Sequence, residues 1–136
     1  MSQITPYLIF NDGFCKKAMN FYQGILGGDL EMMTYSSSPV DVPPEYKERI
    51  IHGMITGPFS LMASDGMPHH QVQQGSNVHI SVNCRSFEEI ERFFKAFSEN
   101  GKVTMPLQDT FWGARFGMLV DQFGICWMFS FQKDSK

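Results

Sequence analysis

An α+β fold of two tandem βαβββ modules is predicted by three observations on this chain of 136 residues. The order strand, helix, three strands reads twice, with helical spacing of apolar residues set between short alternating runs. The second half can be laid on the first with the elements in the same order. The composition, 43% hydrophobic and 18% charged, supplies enough apolar surface to offset chain entropy in a single domain.

Residues 4–10 (Ile-Thr-Pro-Tyr-Leu-Ile-Phe) form the first strand, with Pro6 near its start, where a missing N–H is tolerated. Asn11-Asp12-Gly13 is a turn and a helix start. Phe14, Ala18, Phe21, Tyr22 and Ile25 then recur at helical intervals, and Gly27-Gly28 stops the helix. Residues 29–36 read as a strand. Residues 37–49 are polar and rich in Pro, a loop of the length that lids have. Two short strands, 50–57 and 59–64, flank Gly57-Pro58, a hairpin signal. Residues 66–76 lack periodicity and read as a linker between module 1–65 and module 77–136 of one domain.

The order then restarts. Residues 77–83 alternate as a strand. Ser86 and Glu89 form a capping-box pattern before a helix that buries Phe87, Ile90, Phe93, Phe94 and Phe97 and ends at Asn100-Gly101. Strands follow near 102–109, 114–120 and 125–131, the last two joined at Asp121-Gln122-Phe123-Gly124. Tyr7 falls on His79 at an offset of 72, which also matches Asn11 with Asn83 and Phe21 with Phe93. The hairpins match at an offset of 64, which pairs Gly53 with Gly117 and Met54 with Met118.

The composition excludes several classes of function. A net charge of −3 lacks the excess of Lys and Arg that a phosphate backbone demands, so nucleic acid is not an expected partner. No apolar run is long enough to cross a membrane, and residues 1–11 lack the features of a signal peptide. Three cysteines without a Cys-x-x-Cys pattern fit reduced thiols, and hence a cytoplasmic location.

Several stretches together resemble the vicinal oxygen chelate superfamily of glyoxalases, fosfomycin-resistance proteins and bleomycin-binding proteins, and in particular its PhnB-like branch. They are Thr5-Pro6-Tyr7-Leu8-Ile9-Phe10, Ala18-x-x-Phe21-Tyr22 with Gly27-Gly28, and Leu61-Met62-Ala63-Ser64-Asp65. Phe111-Trp112-Gly113 and Phe116-Gly117 through Asp121-x-Phe123-Gly124-x-x-Trp127 complete the set. The resemblance spans nearly the whole chain. It implies two curved, mixed sheets cupped around a small-molecule ligand, and a homodimer. The branch also carries a demethylubiquinone methyltransferase label, but the Gly-rich strand-to-helix turn of an adenosylmethionine site is missing, because Gly27-Gly28 ends a helix rather than opening one.

Metal-dependent relatives place one ligand on the first and last strand of each module, typically His, Glu, His and Glu. Carried over residue by residue, the four positions here are Tyr7, Ser64, His79 and Met128. One imidazole among a phenol, a hydroxyl and a thioether does not cage a divalent ion, which wants carboxylates or several imidazoles. The expectation is therefore a ligand-binding cup with no metal and no other cofactor. One alternative is a divalent-metal-dependent lyase, isomerase or dioxygenase with a site rebuilt from His52, His69 or His70. Another is a protein that sequesters a toxin or antibiotic.

His79 and Tyr7 are the candidate catalytic pair. A neutral imidazole serves as a base or a hydrogen-bond partner, and a phenol donates to a ligand oxygen, while the plainer role for both is packing. Ser64, Met128, Trp112, Arg115 and His52 are candidate ligand contacts. Trp112 suits a pocket wall or packing, and His52 an aromatic contact. Arg115 suits an anion clamp or a surface charge. Asp65 and Asp121 read as structural turn residues, and Cys126 as an apolar filler beside Met128. Met32, Met33, Met54, Met62, Met118 and Met128 fill a core or an adaptable apolar surface.

Overall fold

The computed structural model describes residues 2–133. It divides into two compact units that meet between Gln73 and Gln74. The first unit runs β1 (Tyr7–Phe10), α1 (Cys15–Leu26), β2 (Asp29–Thr34), β3 (Ile50–Thr56) and β4 (Leu61–Asp65). Its sheet has the order β1-β4-β3-β2, with β1 parallel to β4 and the remaining neighbours antiparallel. The second unit repeats this as β5 (Ile80–Asn83), α2 (Phe87–Ser98), β6 (Lys102–Asp109), β7 (Ala114–Val120) and β8 (Cys126–Gln132), ordered β5-β8-β7-β6. The α+β fold of two βαβββ modules is thus present, with each sheet mixed.

In the first unit α1 buries Cys15, Ala18, Met19 and Tyr22, and the sheet supplies the buried Phe10, Ile55, Leu61 and Ala63. Phe14, expected on the buried face, is 47% exposed, because the face is rotated toward Cys15 and Met19. The N-cap residue Phe14 offers no side-chain acceptor. The cap comes instead from the end of β4, where Asp65 Oδ1 accepts from Cys15 N (2.9 Å) and Oδ2 from Ile50 N (2.7 Å). One buried carboxylate therefore ties the start of the helix to the start of β3.

The expected strand 29–36 ends at Thr34, and a 3₁₀ turn occupies Tyr35–Ser37. The polar loop after it is closed at its neck by Tyr35 N–Arg49 O (3.0 Å) and Ser36 N–Lys47 O (2.9 Å), with Val42 buried as its anchor. The beginning of the expected linker is bonded to the first unit. Gly66 N donates to Phe10 O (2.7 Å), and the Asn11 amide both donates to Val72 O (3.0 Å) and accepts from Val72 N (2.9 Å).

In the second unit α2 buries Ile90, Phe93, Phe94 and Phe97. Phe97 lies 4.6 Å from Trp127 and 5.2 Å from Phe129 between ring centroids, an aromatic core of favourable tilted pairs. Phe87, expected in this core, is 50% exposed and lies beneath the Arg115 guanidinium. Half of the capping box forms as the sequence implies, with Glu89 N donating to Ser86 Oγ (3.0 Å). The Glu89 carboxylate reaches one residue further back and accepts from Arg85 N (2.9 Å).

The strand pairing refines the internal repeat. Ile9 faces Ser64 and Ser81 faces Met128, so the outer parallel pairs keep the offsets of 72 and 64. Gly53 faces Ala63, however, whereas Leu119 faces Trp127. By pairing, Gly53 therefore corresponds to Leu119 and not to Gly117. The shift of two residues keeps every side chain on its own face, because the strand period is two.

Candidate functional site

Each sheet has one face covered by its own helix and one face free of it. In the first unit the pairs Tyr7–Met62, Ile9–Ser64, Met54–Met62 and Met33–His52 put these side chains together on the helix-free face. Tyr7 is 42% and Ile9 44% exposed there, while Ser64 is buried. Tyr7 reaches across β4 to the exposed His52. The rings stack with centroids 5.7 Å apart, and the Tyr7 hydroxyl shares a 3.2 Å hydrogen bond with His52 Nδ1. The sequence offered no sign of this pairing, since positions 45 residues apart meet only when β1 and β3 flank the same strand.

In the second unit Ser81 and Met118 both face Met128, and Asn83 and Phe116 both face Ser130. Cys126 faces Val120 on this side too, which matches its expected parity with Met128. His79 lies immediately before β5, rather than within a strand 77–83 as expected. The reason is local: its side chain turns back, and Nε2 lies 3.0 Å from Ser76 O. A carbonyl oxygen has no hydrogen to give, so Nε2–H donates, and in that tautomer Nδ1 carries the lone pair. That Nδ1 is buried and without a hydrogen-bond partner among the described residues. A buried acceptor left unmet costs about 1–3 kcal/mol, which marks His79 among the predicted site residues.

Arg115 is not brought to the helix-free face. It shares the parity of Gly117 and Leu119 and points toward α2, where it pairs with Glu91 (2.8 Å) and with Asp109 (3.3 Å). Two carboxylates already meet its fork, so it serves the fold. Trp112 is 53% exposed in the β6–β7 turn, edge-on to Phe111 and to Phe116. Gly113 closes that turn at φ 86°, a left-handed conformation that favours glycine.

The aspartates are structural, but only Asp121 acts locally. Its Oδ1 accepts from Phe123 N (2.8 Å) and Ile125 N (3.1 Å), and its Oδ2 accepts from Trp127 Nε1 (2.8 Å). This accounts physically for the Asp-x-Phe-Gly-x-x-Trp spacing, since one carboxylate holds the turn and the indole after it. Asp65 instead works over long range, as described above. Burial pushes the Asp65 carboxyl above the usual range, against the two backbone N–H bonds and the nearby Arg49 charge, which lower it. Burial also pushes the Cys15 and Cys84 thiols up to about 12, with the Asp65 charge adding to the effect at Cys15 and Glu89 at Cys84. Neither thiol has the lowered pKa of a nucleophile.

The superfamily's usual divalent ion does not fit the donor set at the four carried-over positions. Tyr7, Ser64 and Met128 offer a phenol, a hydroxyl and a thioether, and His79 is the one imidazole among the four. Among the described residues, no three or more His, Cys, Asp or Glu side chains come together in a way that could hold an ion.

Comparison with known proteins places this geometry. The family model for the Glyoxalase/Bleomycin resistance protein/Dioxygenase superfamily matches residues 5–129. Protein YjdN of Escherichia coli (strain K12) is 31% identical over 142 residues, covering 96% of this chain and 95% of that protein. Among solved structures, protein PA1353 from Pseudomonas aeruginosa has a TM-score of 0.89 at 44% identity, covering 98% of this chain and 100% of that one. The PhnB protein from Bacillus cereus has a TM-score of 0.75 at 26% identity, with 96% and 99% covered. With its two βαβββ units and a match across almost all of its length, the chain belongs to the Glyoxalase/Bleomycin resistance protein/Dioxygenase superfamily.

Proposed function

We propose that this protein is a PhnB-like member of the superfamily that binds a small organic molecule on its helix-free sheet faces without the four-ligand metal cage. The observation that carries the reading is His79 Nδ1, a buried lone pair with no partner among the described residues, on the edge of a face that carries Met118, Met128 and Phe116 beside Ser81, Asn83 and Ser130. A ligand hydroxyl or amide N–H would satisfy it, and the thioethers would adapt to the apolar remainder. In the first unit Tyr7 and His52 offer a polar contact as a coupled pair beside Ser64, and in the second unit Met128 lines the face near His79. If the bound molecule is turned over, His79 Nδ1 is the group with the free lone pair needed by a base. The reading includes a homodimer in a reducing, cytoplasmic setting, in keeping with three unpaired cysteines.

Native mass spectrometry of the untagged protein tests this directly, because it reports subunit number, bound ions and retained molecules together. The expected result is a dimer without a stoichiometric ion. One divalent ion per chain would overturn the metal-free reading. Any retained molecule is then titrated against His79→Ala, with an expected loss of about tenfold in affinity for one hydrogen bond and its buried acceptor. Unchanged affinity would remove His79 from the site.

A further inference from the structure

A separate cavity of about 260 Å³ opens in the first unit between the β1–α1 turn, the loop before β3 and the segment after β4, and its lining includes neither Tyr7 nor His52. Its chemistry comes from Arg49, Tyr46, His69, His70 and Asp12. The Arg49 guanidinium carbon sits 4.2 Å from the centroid of the Tyr46 ring. The Arg49 side chain also lies along Gly13 (φ 76°), where an added Cβ would come within 3.3 Å of Nε. The Arg49 side chain is therefore packed against both an aromatic ring and bare backbone. Among the described residues Arg49 makes no ion pair, although Arg85, Arg115 and Lys133 all do.

The walls are fixed. Asn11 clamps Val72 through both amide atoms, and Gly66 N bonds Phe10 O. Gly66 lets the segment approach closely, since a Cβ there would lie 3.2 Å from His70 O. Asp12 and His69 take left-handed φ values of 59° and 65°, a conformation that Asp and His accept more readily than most non-glycine residues. The imidazoles of His69 and His70 and the hydroxyl of Tyr46 have no side-chain hydrogen bond within the described residues. The pocket thus offers a packed guanidinium fork, further donors around it and a single carboxylate among its lining residues. A carboxylate ligand has two oxygens and would be served by the fork alone, whereas a phosphate has a third oxygen for the imidazoles and a protonated or hydroxyl-bearing edge for Asp12.

We propose that this pocket is a binding site for a phosphate group, either free phosphate or the phosphate of a small hydroxyl-bearing monoester, centred on Arg49. It is distinct from the helix-free face of the first unit that carries Tyr7 and His52. The test is titration calorimetry of the full chain at low ionic strength with inorganic phosphate, glycerol 3-phosphate and acetate. Both phosphates are expected to bind, and acetate about tenfold more weakly or worse. Tighter binding of glycerol 3-phosphate assigns the monoester, and equal or weaker binding assigns free phosphate. Arg49→Gln should cost at least about tenfold while Tyr7→Phe costs nothing, which separates this site from the other. If Arg49→Gln does not fold, His69→Asn with His70→Asn, at exposed positions, should weaken phosphate binding at least about threefold. No binding of either phosphate at about 10 mM, equal binding of acetate, or full binding by the substituted chain would overturn the proposal.

Discussion

Asp65 and Asp121 show how much of this fold rests on single carboxylates. Both are almost completely buried, at 2% and 3% exposure, and both spend their oxygens on backbone or indole N–H groups. Asp65 carries a testable consequence. Burial raises its carboxyl in the folded state, so the native chain holds that proton more tightly than the unfolded chain does. Its contribution is complete below the ordinary carboxylate value and is lost as pH rises through the raised one. The stability of wild type minus that of Asp65→Asn should therefore be greatest in acid and shrink as pH rises from about 4. Urea midpoints across that range check it, and a difference that grows with pH would refute it. His79 is the opposite case, a buried polar atom the fold leaves unmet.

At the scale of elements, α2 sits on its sheet through a contact tight enough to forbid a methyl group. A Cβ on Gly117 would stand 2.7 Å from Phe94 Cε1 and 3.0 Å from Leu107 Cδ2, so α2 packs directly on the β7 backbone. Gly117→Ala should cost about 1–3 kcal/mol by overpacking. Gly24, within α1, is open, with nothing within 4 Å of its added Cβ. Gly24→Ala should stabilise the chain by about 0.5–1 kcal/mol, because alanine is the better helix former. Thermal or urea unfolding of the two variants gives shifts of opposite sign if the packing of α2 is as described. A neutral Gly117→Ala would place Phe94 elsewhere.

Across the whole molecule, the three cysteines are unpaired and buried, Cys15 in the first unit and Cys84 and Cys126 in the second. A thiol reagent therefore probes opening rather than reactivity. An aromatic disulfide reagent at neutral pH should modify none of the three thiols in the native protein and all three in denaturant. Rapid labelling of native protein would show that one unit opens locally. No helix of the described residues is long and apolar enough to cross a membrane.

The sequence by itself determined the element order, the two helices, the doubling of βαβββ and the family. These are written in local periodicity, in caps such as Ser86 and turns such as Asn100-Gly101, and in motifs such as Asp121 to Trp127, whose partners lie within a few residues. The donor chemistry at Tyr7, Ser64, His79 and Met128 was legible too, since it is a matter of residue type. Tertiary structure alone decided what those side chains meet. It paired Tyr7 with His52, turned Arg115 toward Glu91, made Asp65 the cap of a distant helix and slid one hairpin by two residues. It also gathered Arg49, Tyr46 and His70 around one cavity. Contacts between residues far apart in the chain depend on strand order and register. A shift of two residues leaves the face pattern unchanged, and so leaves no mark in the sequence.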